Sequence, residues 1–160
     1  MLPRGAAARR YARLIALGLP AALLAGAYVS QYGFGLYPCE MCWWQRYAHF
    51  AALPFALLAF AAPRARWPVV LATLAIAASA LIGAYHAGVE YHWWQGLTAC
   101  TSTADTSLGN ALDAIMNAPM IRCDQAQWTL FGVSLAGYNF LLSGAGALLA
   151  AVLLLRGREG

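Results

Sequence analysis

Four cysteines are the residues of this sequence whose type and spacing could do chemistry. Cys39 and Cys42 form a Cys-x-x-Cys pair, whereas Cys100 and Cys123 lie far from that pair and from each other. A Cys-x-x-Cys pair can close a small disulfide ring, and a position at the start of a helix favours the thiolate, the species that attacks disulfides. The first pair therefore suits a disulfide that opens and closes repeatedly.

Two other interpretations of the four cysteines stay open on the residues alone. The Cys-x-x-Cys spacing also binds zinc, but such a site normally has a second close pair or histidines at ligand spacing, which Cys100 and Cys123 do not supply. We therefore expect no metal. The cysteines could also form two permanent disulfides that only stabilise the loops of a non-enzymatic membrane scaffold.

Arg46 lies one helical turn after Cys42. For a lone arginine near the end of a membrane helix, the simplest role is to extend towards a lipid phosphate. Beside a redox pair, a guanidinium could instead bind a quinone carbonyl and stabilise the anion that forms when a thiolate donates electrons. The aromatic residues Trp43, Trp44 and Tyr47 could flank a planar ring, but they are also typical of membrane interfaces.

The composition indicates that the bilayer is the natural solvent for most of this chain. Of its 160 residues, 62% are hydrophobic and only 10% are charged, far from the balance of a soluble domain of this length. The formal net charge is +4, but the basic residues are all arginines that lie mainly at the ends of apolar segments. They are topology signals, and we expect no nucleic-acid partner.

Three or four apolar segments approach the length of about 20 residues that a helix needs to cross a membrane. We therefore predict an all-α membrane protein with a single domain, residues 1–160, built as a four-transmembrane-helix bundle. The first segment also resembles a cleavable signal peptide, but its long apolar run favours a retained helix. The predicted helices cover about residues 14–32, 43–62, 69–86 and 130–155, which leaves outer loops at about 33–42 and 87–129.

The arginines predict the orientation of this bundle, because eight of the ten fall on one side of the four-span arrangement. Arginine-rich loops and ends are cytoplasmic, so both termini are expected inside, and the two cysteine-bearing loops lie in the compartment where disulfides persist. The arginines that carry this prediction are Arg4, Arg9, Arg10, Arg13, Arg64, Arg66, Arg156 and Arg158.

The second outer loop contains two further features. Apolar residues recur at helical spacing from Leu108 to Met116, which predicts a short amphipathic helix that lies either on the membrane surface or over the end of the bundle. His86 and Glu90 lie one turn apart where the third helix enters this loop. The two side chains could relay protons, although we favour a role in ordering the helix end.

Taken together, these residues resemble the bacterial disulfide bond formation protein B family, DsbB. The resemblance covers nearly the whole chain, including the order of helices and outer loops. It rests on Tyr37-Pro38-Cys39-Glu40-Met41-Cys42-Trp43-Trp44-Gln45-Arg46, on Tyr85-His86-Ala87-Gly88-Val89-Glu90, on Thr98-Ala99-Cys100, and on Arg122-Cys123-Asp124 followed by Trp128.

The resemblance implies an enzyme of the bacterial inner membrane that reoxidises a periplasmic DsbA-like thioredoxin-fold oxidase and passes the electrons to a membrane quinone, ubiquinone or menaquinone. Nothing in the sequence requires more than a monomer. By the family pattern, Cys100 and Cys123 exchange with the partner, and Cys100 forms the mixed disulfide. Cys39 and Cys42 are then the membrane-proximal pair, with Cys42 next to the quinone and Arg46 in contact with it.

Overall fold

The computed structural model describes residues 3–97, 101–102 and 120–157. The predicted amphipathic segment of the second loop, residues 108–116, lies outside the described residues, as does Cys100. The fold is mostly helical, as expected from the sequence. Its helices are α1 (Gly5–Phe34), α2 (Glu40–Ala61), α3 (Trp67–Glu90) and α4 (Leu135–Arg156), and its short strands are β1 (Thr101–Ser102), β2 (Met120–Ile121), β3 (Thr129–Leu130) and β4 (Val133–Ser134).

Three of these helices, α1, α3 and α4, are long and apolar enough to cross a membrane. Their outward faces carry large apolar side chains, such as Leu81, which is 70% exposed, and Leu148, which is 68% exposed. Apolar side chains that would be unfavourable in water suit a surface that faces lipid. The length and hydropathy of these three helices, and their exposed apolar side chains, therefore support a membrane protein.

The helix boundaries differ from the expected ones at both ends of the chain. Helix α1 begins at Gly5 and includes the first arginines, since alanine and arginine both favour helix strongly. Helix α4 begins at Leu135, later than expected, because β3 and β4 form an antiparallel hairpin. Phe131 and Gly132 turn this hairpin with φ of 50° and 77°. Ser134 then caps α4 by accepting a hydrogen bond from the backbone N–H of Gly137.

Small residues let the helices approach closely. One buried cluster joins the ends of all four helices through Ala8, Ala12, Ala16, Ala56, Ala59, Val69, Ala72 and Leu153. Gly83 of α3 faces α4, where an added Cβ would lie 3.0 Å from the backbone oxygen of Ala136. Contacts of this type are the usual basis of helix packing in membranes.

The two ends of the bundle differ in chemistry. At one end, Arg9 donates to the backbone oxygen of Gly157 at 2.6 Å, and Arg13 donates to that of Pro63. The amino-terminal arginines, the α2–α3 turn and the end of α4 therefore lie together. The opposite end holds a second buried cluster, formed by Cys39, Met41, Val89, Ile121 and Cys123.

Candidate functional site

Cys39 and Cys42 lie at the amino terminus of α2, as the start of the second apolar segment predicts. Cys39 is the N-cap residue, and its sulfur accepts a hydrogen bond from the backbone N–H of Cys42 at 3.3 Å. The two Sγ atoms are 2.8 Å apart, and a disulfide requires about 2.05 Å. The helix start thus holds the two thiols where a small movement can join them.

Cys123 joins this pair, although it lies far away in the sequence. Its sulfur, the sulfur of Cys39 and a ring nitrogen of His86 all lie within 4.8 Å of one another, and all three side chains are buried. Hydrogen bonds with Cys123 and Cys42, together with burial, raise the pKa of the Cys39 thiol well above its ordinary value. The structure therefore brings one member of the distant cysteine pair against the Cys-x-x-Cys pair.

The same three residues are chemically able to bind a metal ion. Two sulfurs and one imidazole are a common ligand set for zinc. The sequence did not reveal this cluster, because the histidine comes from α3 and the second sulfur from beyond the long loop. The sulfurs that would bind a metal are also those that a disulfide exchange would use.

Arg46 is buried and bound to α1. One Nη atom donates to Gln31 Oε1 at 2.6 Å, and the other donates to the backbone oxygen of Ala27 at 3.1 Å. The guanidinium lies 5.0 Å from the ring centre of Tyr28 and 5.1 Å from that of Trp43. These partners hold the Arg46 side chain against α1. A fixed cation thus lies one turn below Cys42, among aromatic rings.

His86 connects the cysteines to α2 by hydrogen bonds. Its Nδ1 faces Gln45 Nε2 at 2.9 Å, and the same amide donates to the backbone oxygen of Met41 at 3.2 Å. Because Gln45 is the donor, we assign the proton of the neutral ring to Nε2. That Nε2 lies 3.5 Å from Cys39 Sγ and 3.7 Å from Glu90 Oε1. His86 can therefore donate a hydrogen bond to the sulfur.

Glu90 ties the end of α3 to the start of α4. Its Oε2 accepts a hydrogen bond from the Ser134 hydroxyl, which is also the cap of α4. This contact supports the expected role in ordering the helix end. The predicted site residues did not include Gln31, Gln45 or Asn139, although each is a polar residue within an apolar helix.

A cavity of about 430 Å³ opens beside the cysteines. This volume is within the usual range of about 300–1,000 Å³ for small-molecule sites. Its lining is mainly apolar and comes from all four helices and the segments next to Cys39 and Cys123. The polar side chains of its wall include Gln45, Arg46, His49, His86, Glu90 and Asn139, and both Cys39 and Cys42 border it.

The family model described as "Disulfide bond formation protein DsbB" matches residues 9–153. The chain belongs to the DsbB family. It is 32% identical to the Disulfide bond formation protein B of Acidovorax sp. (strain JS42), over 96% of this chain and 91% of that protein. It is also 32% identical to the protein of the same name from Verminephrobacter eiseniae (strain EF01-2), over 95% and 89%. No solved structure gives a significant match.

Membership of the DsbB family confirms the resemblance that the cysteine, arginine and histidine motifs indicate. As a member of this family, the chain is a membrane protein that takes part in disulfide bond formation, and the family implies disulfide oxidoreductase activity. Of the five residues that the sequence singles out, the described part of the chain brings Cys39, Cys42 and Cys123 together and places Arg46 on the adjoining turn of α2.

Proposed function

We propose that this DsbB-family protein is a quinone-dependent protein-disulfide oxidoreductase. It reoxidises a periplasmic DsbA-like thioredoxin-fold oxidase and transfers the electrons to a membrane quinone, which supports disulfide formation in exported proteins. The proposal rests on the positions of three cysteines relative to the cavity. Cys39 meets Cys123 on one side, and its partner Cys42 borders an apolar cavity with a buried cation on the other.

The first exchange takes place at Cys100 and Cys123. The reduced partner attacks their disulfide at Cys100, so that the partner becomes oxidised and the loop pair becomes a dithiol. A Cys123 thiolate then attacks the sulfur of Cys39 in the Cys39–Cys42 disulfide, and Cys42 leaves as a thiolate. Closure of the Cys100–Cys123 disulfide completes the transfer of two electrons to Cys39 and Cys42.

The observed contacts favour this direction of attack. The Cys123 sulfur is near Cys39, so Cys39 is the sulfur within reach and Cys42 is the leaving group. Cys42 lies on the same face of α2 as Arg46, one turn away. A positive charge at this position stabilises the departing thiolate.

The second step transfers two electrons and two protons from the dithiol to the quinone and closes the Cys39–Cys42 disulfide. The cavity fits such a planar, mainly apolar ring, because its wall is apolar with a few polar groups. Arg46 would bind a carbonyl oxygen, since a guanidinium is a strong donor to oxygen atoms that gain negative charge. His86 holds a proton at the Nε2 atom beside Cys39.

We further propose that all four helices span the bacterial inner membrane and that the protein functions as a monomer. Helix α2 contains polar residues that line the cavity, but it also exposes apolar side chains such as Leu57 and Phe60. Arg9, Arg13 and Arg66 contact the backbone at one end of the bundle, and the cysteines lie at the other end. The positive-inside rule therefore predicts that the cysteines are on the periplasmic side.

A coupled assay tests the function. Protein in lipid vesicles is mixed with a reduced thioredoxin-fold dithiol donor and with ubiquinone or menaquinone analogues, and loss of the quinone absorbance is followed. We expect one quinone reduced for each donor oxidised, no effect of a metal chelator, and loss of turnover in Cys42→Ser. If wild-type protein reduces neither quinone while its cysteines stay paired, the structural role of permanent disulfides is correct instead.

A further inference from the structure

Arg46 is a buried cation whose partners are all neutral. Its side chain is 6% exposed, and buried charges in proteins are normally paired with an opposite charge. Among the residues that the structure describes, however, no carboxylate forms an ion pair with Arg46. Glu90, which also borders the cavity, instead faces His86 and accepts a hydrogen bond from Ser134. The described residues therefore leave the positive charge of Arg46 uncancelled.

Helix α1 supplies the hydrogen bonds that hold this cation. Gln31 Oε1 accepts from one Nη atom at 2.6 Å, and the backbone oxygen of Ala27 accepts from the other at 3.1 Å. A glutamate has the same length and shape as a glutamine, and its carboxylate would bind the guanidinium more strongly than an amide does. Position 31 therefore holds the weaker of two acceptors that fit.

Gln31 reaches the cavity only through Arg46. Ala27, one turn earlier on α1, lines the cavity together with Arg46, whereas Gln31 is not part of its wall. Gln31 is half-buried, and its Oε1 faces the guanidinium rather than the cavity. Any effect of this side chain on the reaction must therefore act through the position or the charge of Arg46.

We propose that Gln31 is a positioning residue that fixes the guanidinium of Arg46 through a neutral acceptor and thereby leaves its positive charge available to the reaction. This inference rests on the proposed quinone function. The reaction converts two thiols and a quinone into a disulfide and a hydroquinone. While the two electrons and two protons move, negative charge forms on the sulfur of Cys42 and on the ring oxygens.

The positive charge of Arg46 stabilises this transient negative charge without direct contact, since electrostatic attraction acts over several ångströms in a surrounding of low dielectric. A carboxylate at position 31 would form an ion pair with Arg46 that has no net charge. Its attraction for the developing negative charge would be much weaker than that of Arg46 alone. The hydrogen bond favours glutamate at position 31, and the reaction favours glutamine.

Two variants separate these roles. Gln31→Glu keeps the acceptor and adds a negative charge, whereas Gln31→Leu removes the acceptor and adds no charge. If Gln31 only holds Arg46 in place, Gln31→Glu should react as fast as wild type and Gln31→Leu should be the slowest. We expect the opposite order, with Gln31→Leu between wild type and Gln31→Glu.

The measurement follows quinone absorbance after reduced protein in vesicles is mixed anaerobically with a short-chain ubiquinone or menaquinone analogue. Gln31→Glu should lower the rate constant at saturating quinone about tenfold, the lower end of the effect of a neighbouring charge on an ionised group, because position 31 is half-buried. The half-saturating quinone concentration should change less than about twofold, since the quinone is neutral before it reacts.

Gly33 provides the matched control for the added charge. It is exposed and lies two residues further on, on nearly the opposite face of α1. An added Cβ there meets only Val29 Cγ1, at 3.9 Å. Gly33→Glu and Gly33→Gln place the same carboxylate or amide on the same turn, and their rate constants should be equal.

The order of the rate constants decides the inference. Gln31→Glu that is as fast as wild type, or faster than Gln31→Leu, overturns it. Slowing of Gly33→Glu relative to Gly33→Gln by the same factor also overturns it, because the charge would then not act through Arg46. Tm in one detergent shows that each variant is folded. If Gln31→Glu is not, Gln31→Asp compared with Gln31→Asn repeats the contrast with shorter side chains.

The wild-type protein separates the two levels of the argument. If it reduces a quinone while the expected order of the variants fails, this inference alone is refuted. If it reduces neither quinone, the proposed function itself is refuted.

Discussion

The sulfur of Cys123 lies within 4.8 Å of the sulfur of Cys39. Cys39 is also the N-cap of α2 and lies 2.8 Å from Cys42, measured between the Sγ atoms. One buried sulfur therefore has two possible disulfide partners. Such an arrangement is what thiol–disulfide exchange requires, because one bond must form as another breaks.

We predict that Cys39 and Cys123 can form a disulfide with each other. In the double variant Cys42→Ser and Cys100→Ser, these are the two cysteines that remain, and a mild oxidant should join them within one chain. Peptide mass spectrometry without reductant detects the bond. Cys39→Ser in the same background is the control and should leave Cys123 as a thiol. Two unreacted thiols after oxidation would show that the sulfurs do not meet.

Arg46→Gln should lower kcat/KM for the quinone by about 10–100-fold. A hydrogen bond to a charged group contributes about 1.5–3 kcal/mol, which corresponds to this range. Exchange between the reduced donor and the loop cysteines should keep its rate, since Arg46 lies on the cavity side. Arg64→Gln, which changes an exposed arginine of the α2–α3 turn, should leave both rates unchanged. A slower exchange step in Arg46→Gln would contradict the assigned role.

The raised pKa of Cys39 predicts a pH-dependent reactivity. Its hydrogen bonds and burial hold the pKa above the ordinary value of 9.0, so Cys39 stays protonated at neutral pH and becomes a thiolate only at higher pH. Alkylation of Cys39 in reduced, folded protein should therefore begin at a higher pH than alkylation of an ordinary thiol. The control is the same cysteine in denatured protein, which should react in its ordinary range. Equal profiles in the folded and denatured states would argue against the buried, hydrogen-bonded thiol.

Gly83→Val should destabilise the bundle by about 1–3 kcal/mol, the usual cost of overpacking. A Cβ at Gly83 would lie 3.0 Å from the Ala136 oxygen and 3.0 Å from Asn139 Nδ2, so α3 and α4 would have to separate. Gly18→Val is the matched control, because nothing lies within 4 Å of its added Cβ. The comparison uses Tm in one detergent. A similar Tm for both variants would mean that α3 and α4 do not pack closely at Gly83.

Local features could be predicted from the sequence, and contacts between distant segments could not. The Cys-x-x-Cys pair at a helix start and Arg46 one turn later depend only on neighbouring residues, and helical spacing relates them directly. The meeting of Cys123 with Cys39 and His86 depends on how α3 and the chain after the long loop pack against α2. No residue pattern in the sequence specifies that packing.

The same distinction applies to the polar residues and to the last helix. Gln45 and Asn139 appear as isolated polar residues in two apolar segments, and only their hydrogen bond at 2.8 Å shows that they form one network. The start of α4 was predicted too early because Leu130 continues the apolar run. The left-handed turn at Phe131 and Gly132 interrupts the helix, and Phe131 gives no sign of it in the sequence.

A single-turnover reaction without any partner protein measures the central claim most directly. The variant Cys100→Ser and Cys123→Ser keeps only Cys39 and Cys42, and it is reduced, placed in vesicles under anaerobic conditions and mixed with excess quinone. We predict that one quinone is reduced for each protein, while one Cys39–Cys42 disulfide forms. If the quinone absorbance does not change and both thiols remain, electrons do not pass from this pair to the cavity, and the proposed route is wrong.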